Sequence, residues 1–262
     1  MHMADALLTP AVAGVMYAAS AVVAGASIVE LHKEEKQDLT SAAKKLPTMA
    51  VMSALVFAGQ MINYTIPGTG SSGHLCGGLL LTSVLGPWAG FLSMIVILAI
   101  QCLFFADGGL LALGANVWNM AFYGCFVGYF LIYRPLMRSR CFARRGERAA
   151  NRLKITLASV LGCVLTLQLG AFSVVLETTL SGITDLPFGA FCAIMQPIHL
   201  AIGLIEGLIT AAVLLFLYEA RPELLRDVRM SGETTGKVSF KGTIAVIAIA
   251  AVLVGGGLSL LA

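Results

Sequence analysis

The chain has 262 residues, of which 58% are hydrophobic and 12% charged, with a formal net charge of +3. A soluble domain carries about 25% charged residues, and one soluble core could not take up so many separate apolar runs. Strand-type alternation is absent, which argues against an outer-membrane barrel, so the composition points to an all-α, polytopic membrane helix bundle.

The first five residues, MHMAD, contain no Lys or Arg, and an apolar run follows almost at once. A cleavable signal peptide needs a basic start, so this run is expected to be a retained helix. Apolar segments follow in order at about 9–29, 48–65, 74–86, 88–106, 109–133, 155–183, 188–218 and 242–262. They predict about seven to eight transmembrane segments. The third is short for a span, which takes about 20 residues, and is expected to be tilted, broken or partly re-entrant. Gly86 and Pro87 separate it from the fourth. Residues 1–220 are expected to form the membrane domain, 221–241 a cytoplasmic linker and 242–262 an additional helix. The six cysteines are scattered without a CxxC pair, mostly inside apolar runs, and are read as small hydrophobes.

All 17 Lys and Arg residues lie in 30–47, 134–154 and 219–241. Basic residues collect in cytoplasmic loops, and with eight spans these three loops share one side. The amino terminus, 66–73, 107–108 and 184–187 then face outward, and His2 and His74 with them. The basic 134–154 loop is explained by this rule. It points to anionic lipid or a cytoplasmic partner rather than nucleic acid.

Outside those loops the ionisable groups are His2, Asp5, His74, Asp107, Glu177, Asp185, His199 and Glu206. Each is a functional candidate, because charge in a bilayer is costly. Glu177 and Asp185 fall near an outer helix end and are expected to be solvated. His2 has a particular option. The terminal amine, the residue-2 amide nitrogen and the imidazole Nδ1 can chelate one metal in successive five- and six-membered rings. Such a tetragonal nitrogen set suits Ni(II) or Cu(II). His74, in the Gly/Ser-rich PGTGSSGHLCGG (67–78), is the natural fourth donor. The plain alternative is a frayed His2 and a helix-capping His74.

Within 101–120 (QCLFFADGGLLALGANVWNM), Gln101, Asp107, Asn116 and Asn119 sit in or beside apolar helices. They are expected either to support the His loop from behind or to bond helices together. His199 and Glu206, in PIHLAIGLIEGLITAAVL (197–214), share a helical face. They are expected to pair with each other or with the fifth helix, as structural groups rather than ligands.

Taken together, MHMAD, PGTGSSGHLCGG, LGPWAG, QCLFFADGGLLALGANVWNM and PIHLAIGLIEGLITAAVLLFL resemble the CbiM/NikM family, in order and over nearly the whole chain. These are the substrate-specific membrane components of energy-coupling factor (ECF) transporters for cobalt and nickel. The resemblance implies a square-planar nitrogen site near the outer face, with donors at positions matching Met1, His2 and His74. It also implies no prosthetic group, transport of Ni2+ or Co2+, and residence in the bacterial cytoplasmic (inner) membrane. The implied partners are a transmembrane coupling (T) subunit, cytoplasmic ATPase subunits and a small N-type accessory protein. After the ligands the chain departs from the family's usual opening. Asp5 keeps the acid, but Ala6 stands where a glycine is usual, which leaves cobalt against nickel open. The ending, TIAVIAIAAVLVGGGLSLLA, resembles the start of the N-type component. The chain lacks a GxxxxGK[ST] phosphate loop and an HExxH-type catalytic motif. It is therefore expected to be a non-catalytic subunit. A self-sufficient secondary transporter or channel is the competing expectation, although no clear internal repeat supports it.

Overall fold

A computed structural model describes residues 1–228, apart from 38, 67 and 143–145. The expected helix at 242–262, most of the 221–241 linker and Arg229, Lys237 and Lys241 lie outside the described residues.

The described chain is largely helical, with non-helical stretches at the amino-terminal end of the bundle, at 139–142 and after residue 220. A short turn at Asp5–Leu7 leads into α1 (Pro10–Gln37) and α2 (Leu39–Gln60). A hairpin of β1 (Asn63–Ile66) and β2 (Ser71–His74) follows, antiparallel, with Asn63 opposite His74. Then come α3 (Gly78–Leu85) and α4 (Pro87–Phe105), α5 (Leu113–Arg138), α6 (Glu147–Ser181) and α7 (Phe188–Ala220). The middle of α5, Val117–Tyr133, is π-wound. Among the described residues α1, α4, α5, α6 and α7 are long and apolar enough to cross a bilayer. The chain is an all-α membrane protein, with one small hairpin among the described residues.

The third segment differs from a simple span. Its helix has only 8 residues, about 12 Å of rise, against a hydrocarbon core of about 30 Å. Residues 75–77 ahead of it are non-helical. The segment therefore travels inward partly as extended chain and partly as helix, which requires other residues to satisfy its backbone.

Ion pairs draw the three basic loops together. Glu34 lies 2.8 Å from Lys45 and 3.3 Å from Arg226. Asp227 takes Arg138, and Tyr129 donates its hydroxyl to the same carboxylate. Arg148 pairs with Glu219. Loops 30–47 and 134–154 thus meet residues 219–228 at one end of the bundle. The amino terminus, the hairpin and residues 106–112 meet at the other end.

α6 and α7 pack backbone to backbone through small residues, as lipid-facing bundles do where water supplies no hydrophobic drive between helices. A Cβ on Gly203 would lie 2.9 Å from Val164 Cα, and one on Gly207 2.5 Å from Val160 Cα. The cysteines Cys76, Cys125, Cys163 and Cys192 are buried and free, as small hydrophobes would be. Gly207→Leu is expected to force α6 and α7 apart and cost about 1–3 kcal/mol, read as a lower thermal midpoint in detergent. Gly14→Leu, with nothing within 4 Å of the added group, is expected to leave the midpoint unchanged or slightly raised.

Candidate metal site

The site is built from the first five residues, which lie between two partners as an inserted strand. On one side Met3 bridges Ser71 antiparallel. The Ser72 amide (3.2 Å) and the Ser71 hydroxyl (2.9 Å) both donate to the His2 carbonyl. The Met1 amino group donates to the Ser72 carbonyl. On the other side the Gly109 amide donates to the Met3 carbonyl at 2.9 Å. The Met3 amide donates to Asn116 Oδ1 at 2.8 Å, and Asn116 Nδ2 donates back to the Met3 carbonyl at 3.3 Å. Asp5 Oδ1 accepts the Ala112 amide at 3.1 Å. Gly108 has φ +86°, and a Cβ there would sit 3.1 Å from His2 Cδ2 and 2.9 Å from Asn116 Nδ2. Only glycine lets the 106–112 loop pass this close. Met1, His2 and Met3 are buried as a result, and the Met1 thioether lies against Gly170 of α6.

This seating stacks His2 on His74, ring centroids 4.6 Å apart and 29° between planes. His74 Nδ1 lies 2.7 Å from the Leu75 carbonyl. A carbonyl only accepts, so Nδ1 carries the proton and Nε2 holds a free lone pair. That Nε2 is buried without a partner, as is Nε2 of His2. His2 Nδ1 stands 3.2 Å from Asp107 Oδ1, off the line of a good hydrogen bond. Asp107 is steadied by Asn63 Nδ2 at 2.7 Å.

Burial makes all three groups weak bases. It lowers the Met1 amine from 8.0 to about 5 and lowers His2 against the opposing pull of Asp107. Burial, with the charges of the Met1 amino group, His2 and His199, holds His74 well below the ordinary imidazole range. Near neutral pH the amine and both imidazoles are therefore uncharged nitrogen donors. Among the described residues no three His, Cys, Asp or Glu side chains form a ligand group; the nitrogen groups gathered here that could hold a metal ion are the Met1 amine and the His2 and His74 rings.

The other sequence candidates have separate roles. Asn119 Nδ2 approaches Met3 Sδ at 3.7 Å and donates to Glu177 Oε2 at 2.7 Å. Glu177 is therefore not solvated, as its place near a helix end suggested, but buried against α5 through a partner in another helix; Asp185 is exposed. Gln101 reaches the His loop only indirectly: it donates to Gln60 Oε1 at 2.9 Å, and Gln60 Nε2 donates to the Cys76 carbonyl at 2.5 Å. His199 and Glu206 do not pair with each other or with α5. His199 Nδ1 bonds the Met195 carbonyl one turn back at 2.8 Å, and its Nε2 is buried and unpartnered. Glu206 accepts the amides of Cys76 (2.5 Å) and Gly77 (2.9 Å). Sequence reasoning passed over Gln60 and Asn63. The signal for Asn63 was the Pro67-Gly68 turn signature between two short stretches, a hairpin pattern. Gln60 had none, since its partners lie 16 and 41 residues away.

Known proteins resemble this chain over most of its length. Residues 2–224 match the family model CbiM, the cobalt uptake substrate-specific transmembrane region. An Archaeoglobus fulgidus protein, provisionally named a fused nickel transport protein (NikMN), is 39% identical over 234 residues, covering 89% of this chain and 70% of that one. A cobalt transport protein (CbiM) of Sorangium cellulosum is 33% identical, covering 68% of this chain and 76% of its own. A crystal structure of a truncated transition metal transporter superposes with a TM-score of 0.69 at 32% identity, over 84% of this chain and 99% of that one.

Asn116 is the polar pin of the inserted strand. Asn116→Leu would leave the buried Met3 amide without its acceptor, a cost of about 1–3 kcal/mol. Amide exchange at residues 2–5 is then expected to quicken by roughly ten- to a hundredfold, and unchanged protection would contradict the assignment.

Proposed function

The chain belongs to the CbiM family of cobalt-uptake transmembrane regions, and from that premise we propose that it is the substrate-binding membrane subunit of an ECF-type importer for Ni2+ or Co2+. The observation that carries this reading is the buried, stacked His2–His74 pair with both Nε2 atoms unpartnered, set beside a seated amino terminus. The Met1 amine, the His2 amide and imidazole, and His74 Nε2 supply four nitrogens. A late divalent metal promotes loss of the amide proton, and a four-nitrogen plane suits Ni(II). For a given nitrogen site the intrinsic affinity rises from Co2+ to Ni2+. The Leu75 carbonyl beside His74 Nδ1 and the Asp107 carboxylate beside the His2 ring are acceptors of the kind that orient metal-bound imidazoles.

The basic end faces the cytoplasm by the positive-inside rule, which puts the site at the outer face of the cytoplasmic membrane. Capture takes place there. The chain has no phosphate loop, so energy comes from cytoplasmic ATPase subunits acting through a transmembrane coupling subunit, with a small N-type protein as a further membrane partner. Residues 1–220 are the metal-binding domain in this scheme. A second reading, a self-sufficient secondary transporter, gains some support from the broken third segment, since interrupted helices build such sites. It predicts Ni2+ uptake by vesicles holding this chain alone, whereas the ECF reading predicts uptake only with partners and ATP.

Calorimetric titration tests the site. The native chain is expected to bind Ni2+ and Co2+, and Gly-Ser added before Met1 is expected to abolish binding, because the Met1 amine becomes a peptide amide and the free amine moves two residues away. His74→Ala is expected to weaken binding at least about 100-fold, beyond the 10–100-fold cost of changes behind a ligand. Undiminished affinity in the extended chain would overturn the site.

A further inference from the structure

The residue that carries His74 into the bundle is held in an unusual way. Residues 75–77 run without helical bonding into α3, in a region where unmatched amides are costly. No local side chain caps α3. The missing partners come from distant helices. Glu206 of α7, 3% exposed, places one oxygen on the Cys76 amide at 2.5 Å and the other on the Gly77 amide at 2.9 Å. A carboxylate also suits the positive end of a helix. Gln60 of α2 donates to the Cys76 carbonyl at 2.5 Å, and Cys76 Sγ donates to the Met120 carbonyl of α5 at 3.1 Å. Gly77 has φ +76°, and a Cβ there would run into Val56. The two amides taken by Glu206 are two and three residues beyond His74, whose own Nδ1 is tied to the carbonyl between. Glu206 can sit at this depth because Gly203 and Gly207, on either side of it in α7, let that helix lie directly on α6.

We infer that Glu206 is a positioning residue for His74: by gripping the backbone of Cys76 and Gly77 it sets where the free Nε2 of His74 stands at the metal site. This rests on His74 being a ligand, as proposed above. The role is more than filling space. Glutamine has the same shape, but one arm becomes an NH2 group facing an amide donor, so one of the two grips turns repulsive. Aspartate keeps both acceptors on a shorter stem.

The test is a double-variant cycle in the purified full chain, titrated with Ni2+ and followed by the visible spectrum of the bound metal. Glu206→Gln is expected to weaken Ni2+ binding about tenfold, in the range for groups that orient a ligand, and to move the spectrum toward that of His74→Ala. In a His74→Ala background Glu206→Gln is expected to change affinity by less than about twofold, because its effect passes through the lost ligand. Glu206→Asp is expected to recover part of the single-variant loss, and it replaces Glu206→Gln in the cycle should the latter fail to fold. Wild-type affinity in Glu206→Gln, or the same loss in both backgrounds, would overturn the inference. Equal binding by His74→Ala and wild type would instead overturn the ligand assignment beneath it.

Discussion

Everything at the amino-terminal end of the bundle depends on one constraint: backbone groups withdrawn from water must be matched inside the protein. A chain terminus is a poor candidate for burial, because helices satisfy themselves and loose ends do not. Here residues 1–5 satisfy it as an inserted strand, with Ser71 and Ser72 on one edge and Gly109 and Asn116 on the other. Once that strand is seated, the Met1 amine is buried and His2 is delivered face to face with His74. The amine loses its charge because burial lowers it to about 5, and that is the form a metal ion can use.

Both stretches that carry the proposed donors are therefore non-helical backbone inside a helical protein. The helices serve them in a consistent pattern. α5 supplies Asn116 for the first stretch; α7 and α2 supply Glu206 and Gln60 for the second. Each pin is a buried polar side chain placed far away in sequence. The opposite end is organised differently, by Arg and Lys paired with Glu34, Asp227 and Glu219. Such pairs contribute little stability individually, but they gather loops 30–47 and 134–154 and residues 219–228 at one end of the bundle.

The helical plan was legible because the length of an apolar run and the placement of Lys and Arg are local properties. The runs near 88–106 and 188–218 match α4 and α7 closely, and 155–183 lies within α6 apart from its last two residues, although that helix begins eight residues earlier, at Glu147. The hairpin was not read, since 48–65 looked like one apolar segment although its last residues, Asn63 onward, are a strand. The third segment was recognisably short, but its half-extended path depends on Glu206, some 130 residues away. Pairings at that distance leave no mark in one sequence. Glu177 shows the same limit in reverse: its position near a helix end suggested solvent, while Asn119 of another helix holds it inside. His2 and His74 could be singled out by chelate chemistry, and the fold does bring them together. The strand insertion that does so could not be foreseen.

The most direct measurement is Ni K-edge X-ray absorption on the loaded chain. Four nitrogen neighbours in a planar arrangement, with no sulfur or added oxygen shell, are the expected result. A six-coordinate oxygen-rich shell, or sulfur scattering from Cys76, would contradict coordination by the amino terminus, His2 and His74.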